Sequence, residues 1–230
     1  MMYLTRFRFN TARVTARRIL SSPQMLHAAV MSSFATPPVQ EDDGPRVLWR
    51  IDRNGKSETY LYIVSPLKPD LTHLVEQAGW PTTGTWQTYD YGPFLSRLAK
   101  GEEWAFRLTA NPVHTARRND TEPTKITAHV GMRHQMQWLL QRQEAAGFRV
   151  VEKPRERQLI PGVDVHELVI RERRHLEFRK RGNSRPVTLV TVTFDGRLEV
   201  TDPDALRRTL TRGLGRAKAY GCGLMTLAAA

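Results

Sequence analysis

With a single cysteine in 230 residues, Cys222, the chain can form neither an internal disulfide framework nor a multi-cysteine metal site, which suits a reducing cytoplasm. No apolar run approaches the roughly 18 residues a membrane-spanning helix needs, so no membrane partner is expected. The seven histidines show no H-E-x-x-H or other zinc spacing, and His129 and His134, five positions apart, do not stack on one helical face. No metal is therefore expected. G-x-S-x-G, G-x-x-x-x-G-K-[ST] and G-x-G-x-x-G are also missing, which argues against a serine hydrolase, a bound mononucleotide and any small-molecule cofactor. Acidic residues are few: 23 against 35 Lys and Arg, for a net charge of +12. A polyanionic partner accounts for that imbalance, and arginine dominates it, with a planar fork suited to phosphate.

The charge is unevenly spread, with 12 basic and 8 acidic residues in positions 1–100 and 23 and 15 in positions 101–230. The first 20 residues hold five arginines and no acid, the composition of a transit peptide. Tyr3-Leu-Thr-Arg-Phe-Arg-Phe9 alternates at period two, however, and reads as an ordered strand over residues 2–10. An arginine-bearing loop follows. Ser22-Pro23 supplies an N-cap and first-turn proline for a helix running to Phe34, with Leu26, Ala29, Val30, Ser33 and Phe34 on one face and His27 beside that stripe. After a Pro- and acid-rich loop, Val47–Ile51 and Thr59–Val64 read as strands joined through Asn54-Gly55. A short helix over 70–78 and a strand over 85–89 complete β-α-β-β-α-β, the order of a ferredoxin-like domain.

That order repeats. Trp104–Leu108 is a strand, 111–127 a polar loop carrying Arg117 and Arg118, and 132–146 an amphipathic helix ending at Gly147. Two β segments follow: Val165–Lys180 is charged and extended, turns at Arg181–Ser184, and returns along Val187–Phe194. Asp195-Gly196 reads as a tight turn into Leu198–Val200, Asp202 caps a helix, and Leu224–Leu227 closes as a strand. The expected architecture is α+β, two tandem ferredoxin-like (RRM-like) domains over residues 1–95 and 100–230.

Two stretches point to nucleic acid. The charged hairpin carries Arg171, Arg173, Arg174, Arg179, Lys180, Arg181 and Arg185, a density suited to the phosphates of a folded RNA or, interleaved with Glu172 and Glu177, to a solvated face. The second is Gly213-Leu-Gly-Arg-Ala-Lys-Ala-Tyr-Gly-Cys-Gly223, in which Gly213, Gly215, Gly221 and Gly223 surround Arg216 and Lys218. It reads either as a phosphate-contacting loop or as a flexible turn. No RNP1 pattern is present, so base stacking on the sheet is not supported. The one catalytic chemistry left open is general acid-base work by a histidine on RNA, which carries its own 2′-hydroxyl nucleophile; His27 is a candidate, and so is a purely structural histidine at that position. Cys222 reads as a packed thiol.

Five motifs in order together resemble the CasE family of type I-E CRISPR-associated endoribonucleases. They are Met2-Tyr-Leu-Thr-Arg6, Ser22-Pro-Gln-Met-Leu-His27, Phe106-Arg-Leu-Thr-Ala-Asn-Pro112, Gln137-Trp-Leu-Leu140 and Gly213–Met225, spanning the chain end to end. The resemblance implies cleavage of CRISPR repeat RNA at the base of its hairpin by 2′-OH attack, without a metal, leaving a 5′-hydroxyl and a 2′,3′-cyclic phosphate. It also implies that the protein stays on the crRNA and joins other Cascade subunits. It assigns catalysis to His27 and RNA contact to the hairpin and glycine stretch. Some members carry a tyrosine three residues before that histidine and a lysine five after it, where this chain has Gln24 and Ser32. Gln24 can donate a hydrogen bond but not act as acid or base near neutral pH, which leaves Lys218 or an arginine to supply charge. The alternative is a non-catalytic RNA-binding subunit with the same fold.

Overall fold

The computed structural model describes residues 1–36, 44–54, 58–80, 82, 86–116, 125–162, 164–179 and 186–230. Its first domain contains β1 (Tyr3–Phe9), α1 (Val14–Leu20), α2 (Pro23–Met31), β2 (Leu48–Asn54), β3 (Glu58–Ser65), α3 (Thr72–Ala78) and β4 (Trp86–Asp90). These strands form an antiparallel sheet in the order β2-β3-β1-β4, the ferredoxin-like arrangement. β1 is ordered between two neighbours, from Tyr3 opposite Ser65 and Asp90 onward, as the alternation of Phe7 and Phe9 requires. Those two rings pack edge to face at 5.0 Å under α2 and α3, with Leu26, Val30, Leu71 and Leu74. Residues 14–20, read as loop, form α1: Ala16 and Ile19 are its only buried side chains, and Arg13 at its N-cap makes no side-chain capping bond. The helix therefore carried little sequence signal.

α4 (Gly92–Arg97) leads into β5 (Glu103–Ala110), β6 (Val113–Ala116), β7 (Lys125–Ala128), α5 (Met132–Leu140), β8 (Phe148–Val150), β9 (Leu168–Arg179), β10 (Pro186–Val200), α6 (Pro203–Arg212) and β11 (Met225–Ala229). The second sheet runs β11-β5-β10-β8, again ferredoxin-like, with β9 paired along the other part of β10. The molecule is thus α+β with two tandem ferredoxin-like domains, the second enlarged by a long hairpin.

Two expectations fail in this half. Asp195-Gly196 is no turn: β10 runs through it, pairing Asp195 with Arg107 and Val169 and Gly196 with Phe106 and Leu168. Glycine is needed there because a Cβ would collide with the Glu167 carbonyl and come 3.0 Å from the Phe106 ring. The polar loop at 111–127 is a two-stranded hairpin, β6 with β7, where described; Arg117 and Arg118 lie outside the described residues, as does Gly55 between β2 and β3.

The domains share one apolar core. Met2, Leu48 and Val64 of the first pack with Phe106, Leu108, Phe194 and Leu224 of the second. Within it Arg50, 2% exposed, spends all five guanidinium N–H groups: Nε and Nη2 on Asp52 at 2.6 and 2.9 Å, Nη1 on the carbonyls of Arg107 and Leu224, and Nη2 also on the Thr226 hydroxyl. β2 is thereby tied to β5 and β11.

Candidate active site and cationic cleft

α2 begins at Ser22, whose hydroxyl accepts from the Met25 amide at 3.4 Å, followed by Pro23. Leu26 and Val30 turn into the first core, which leaves His27 half-buried one step round the helix. Its Nδ1 is buried and meets no hydrogen-bond partner among the described residues, and burial holds its pKa below the ordinary histidine value. The imidazole is therefore neutral at pH 7, the state of a general base. Gln24 lies one turn before it, half-buried, and Ser32 is the exposed C-cap.

The glycine stretch reaches the same place. After α6, Gly213, Gly215, Gly221 and Gly223 all have positive φ, between 76° and 90°, and Ala217 at φ 60° is a non-glycine residue in that region of the map. Within the stretch a 3-10 turn, Lys218–Tyr220, sits against α2 and β2. What crowds the glycines is the protein itself: a Cβ would fall 2.6 Å from the Trp49 ring at Gly221, 2.9 Å from Trp138 at Gly215 and 2.8 Å from Leu48 at Gly213. Close approach by glycine thus seats the loop between the domains, and its outward chemistry belongs to Arg216, which is exposed, and Lys218, which is half-buried. Burial first, then Arg46 and Arg212, lower the Lys218 pKa. Cys222 is fully buried with its thiol pushed up to about 12, an inert packed residue.

The basic strand closes the third side. Tyr220 meets Phe178 of β9 with ring centroids 4.7 Å apart. Alternation along β9 divides its arginines: Arg173 and Arg179 point outward, whereas Arg174 points inward with Glu172, 3.2 Å from it, toward Arg53 of β2; Arg171, where the register of β9 on β10 shifts, pairs with Asp195 at 2.8 Å and lines the cleft beside Arg53 and Arg107. Burial and then Arg174 depress the Arg53 pKa, while Glu172 opposes them. Lys180, Arg181 and Arg185 lie outside the described residues.

The sequence reading missed Arg53 and the Arg50–Asp52 clamp. The period-two spacing of Arg50 and Asp52 was the available signal, since it puts both on one strand face. Among the described residues no group of His, Cys, Asp or Glu is arranged to hold a metal, and no helix is long and apolar enough to cross a membrane.

The class so defined is a tandem ferredoxin-like protein whose interdomain cleft is walled by a histidine-bearing helix, a glycine loop and an arginine-rich strand. The family model described as CRISPR associated protein matches residues 2–229. CRISPR-associated endoribonuclease Cse3 of Thermus thermophilus is 32% identical, over 99% of this chain and all of its own length. The structure of Thermus thermophilus Cse3 bound to an RNA representing a pre-cleavage complex superposes with a TM-score of 0.76, at 29% identity over 99% of this chain and 98% of that one. Cas6e from Escherichia coli K-12 shares the fold, with a TM-score of 0.63 at 21% identity over the full length of both chains. The chain belongs to the CRISPR-associated protein family, in its CasE (Cse3) branch.

Proposed function

We propose that this protein is an endoribonuclease that cuts CRISPR repeat RNA at the base of its hairpin. The observation that carries the reading is the desolvated His27, its Nδ1 unpartnered among the described residues, on a helix packed against the lysine-bearing glycine loop. Neutral His27 takes the proton of the 2′-hydroxyl, the alkoxide attacks the adjacent phosphorus, and the P–O5′ bond breaks as the leaving oxygen takes up a proton. The products are a 2′,3′-cyclic phosphate and a 5′-hydroxyl, and the protein's part in this is acid-base and electrostatic, with no metal required. Lys218 stands as the cation opposite the developing charge on phosphorus, and Gln24 as a neutral donor to it. Arg174 and Arg53 bear on the strand in the cleft; Arg179, with Lys180, Arg181 and Arg185, grips the paired stem; Gly213 to Gly223 positions the rest. The domains divide between residues 95 and 100. Family membership supports retention of the crRNA and assembly with other Cascade subunits in the cytoplasm.

The test is incubation of purified protein with end-labelled repeat RNA in EDTA. One cut with cyclic-phosphate and 5′-hydroxyl ends is expected, and a single 2′-deoxy nucleotide 5′ of the scissile bond blocks it. Cleavage of the deoxy substrate rules out 2′-OH attack; tight binding with no cut of either substrate favours the non-catalytic subunit.

A further inference from the structure

On the other side of the glycine loop from α2 lies a second cationic site. A cleft of about 230 Å³ is walled by His114 of β6, His129 after β7, Arg142 just past α5, and Arg216 of the glycine loop, over the Trp138 ring. The three imidazoles form a row: His114 and His129 have centroids 4.5 Å apart, and His129 and His134 stack in parallel at 5.9 Å. The row is held from the backbone. The His129 amide donates to the Pro112 carbonyl at 3.0 Å, and its own carbonyl accepts from Nε2 of the fully buried Gln135 at 2.7 Å. Arg142 is fixed as well, donating to the Trp138 carbonyl at 2.8 Å with its guanidinium 4.5 Å from the indole ring, and Gly215 packs close against Cη2 and Cζ2 of the same ring.

The groups facing His129 are all basic: His114 from β6, His134 from α5 and Arg142 beyond α5; across the cleft stands Arg216. No carboxylate is among the described residues lining the cleft. Burial, His114, His134 and Arg142 hold the His129 pKa below the ordinary value, so its imidazole is neutral at pH 7. Such an arrangement gives up favourable charge unless an anion arrives to reverse the repulsion.

We infer that this histidine and arginine pocket binds a backbone phosphate of the RNA strand that passes over the glycine loop from the His27 site, and that protonation of His129 accompanies binding. The inference rests on the proposed RNA substrate. Its geometry comes from the loop: Arg216 and Lys218 are two residues apart, so their backbones lie within ~7 Å, and even stacked in a duplex the charges of one strand rise only ~3.4 Å each along the helix axis. A strand gripped at Lys218 reaches Arg216 within about two phosphates. RNA is favoured over an acidic peptide because Arg216 belongs to the same loop that serves the reaction.

The sign follows from linkage: an anion that favours the charged imidazole raises its pKa, so binding tightens as pH falls through that titration. Uniformly labelled protein is titrated by NMR from pH 5 to 8, alone, with inorganic phosphate, and with repeat RNA blocked by the 2′-deoxy substitution. The His129 midpoint is expected to rise by about one unit with RNA, equivalent to a tenfold gain in affinity at low pH. His129→Ala flattens the pH dependence of RNA affinity, and His129→Lys keeps wild-type low-pH affinity up to pH 8. Saturating RNA with an unmoved His129 midpoint overturns the inference, as does an unchanged pH profile in His129→Ala. Absence of RNA binding at every pH instead removes the proposed function; the phosphate arm then decides the pocket, with an unmoved midpoint ending it and a raised one keeping it as an anion site.

Discussion

His27 illustrates how much one side chain's surroundings decide. Helical spacing alone sets it beside the buried stripe, and the fold adds that Nδ1 is enclosed, with no partner among the described residues. A histidine whose pKa is lowered by burial is neutral above that pKa, so the base-dependent cleavage rate rises with pH below the ordinary histidine value of about 6.5 and is level at pH 7. Single-turnover cleavage across pH 5 to 8 is the measurement, and an acid limb centred above 6.5 would contradict the assignment. His27→Ala is expected to lower single-turnover cleavage by at least about a hundredfold while repeat affinity stays within a few-fold, because the histidine acts on the reacting atoms and not on the stem. Ala217 offers a stability counterpart. It holds φ 60°, a conformation that costs an L-residue about 1–2 kcal/mol, so Ala217→Gly is expected to be neutral or stabilising in urea unfolding despite the added chain entropy of glycine.

At the scale of elements, the glycine loop and β9 are the parts whose meaning changed between sequence and structure. Four glycines around two cations look like a phosphate cradle, yet the space above Gly221 is filled by Trp49 and above Gly215 by Trp138. Gly221→Ala forces a Cβ to 2.6 Å from a buried indole at φ 80°, and a loss of about 2–4 kcal/mol is expected from overpacking and backbone strain together. Thermal unfolding checks it, and an unchanged midpoint would mean the loop is not wedged between the domains. The hairpin's charge was plain in the sequence, but its division between faces follows from period-two alternation, which a charge count ignores. Arg179→Ala should reduce the slope of log affinity against log salt by about one, whatever the repeat sequence. Legibility failed where tertiary contact outweighs local signal. α1 buries two residues and lacks a cap, and the Asp195-Gly196 dipeptide looks like a turn although its glycine is demanded by three strands meeting. It succeeded where pattern and burial agree, as in Phe7 and Phe9 of β1 or the Ser22-Pro23 start of α2.

For the molecule as a whole, the decisive question is what keeps two separate sheets in one registration, since the proposed site is assembled from both. Arg50 answers it with three hydrogen bonds across the junction, to Arg107, Leu224 and Thr226, and two more to Asp52 on its own strand, beside the shared core of Leu48, Val64, Phe106 and Leu224. A buried ion pair is a weak source of stability, because desolvation offsets its attraction, but it is costly to break on one side only. Arg50→Met strands a 7%-exposed carboxylate at Asp52 and two carbonyls, and a loss of about 3–5 kcal/mol is expected, toward the lower end because Arg107 still lies 3.4 Å from Asp52. Removing the carboxylate too, in Arg50→Met with Asp52→Leu, should recover part of that loss, since no unpaired charge is left behind. Urea unfolding of the three proteins separates the two explanations. A double variant that recovers nothing relative to the single one would mean that the loss comes from the hydrogen bonds to Arg107, Leu224 and Thr226, which both variants lack, and not from the unpaired charge. The same variants link the clamp to function. If Arg50 keeps α2 and the glycine loop in register, Arg50→Met slows cleavage at saturating repeat RNA even in urea-free buffer where it remains folded, whereas His27→Ala leaves the unfolding midpoint close to that of the wild type.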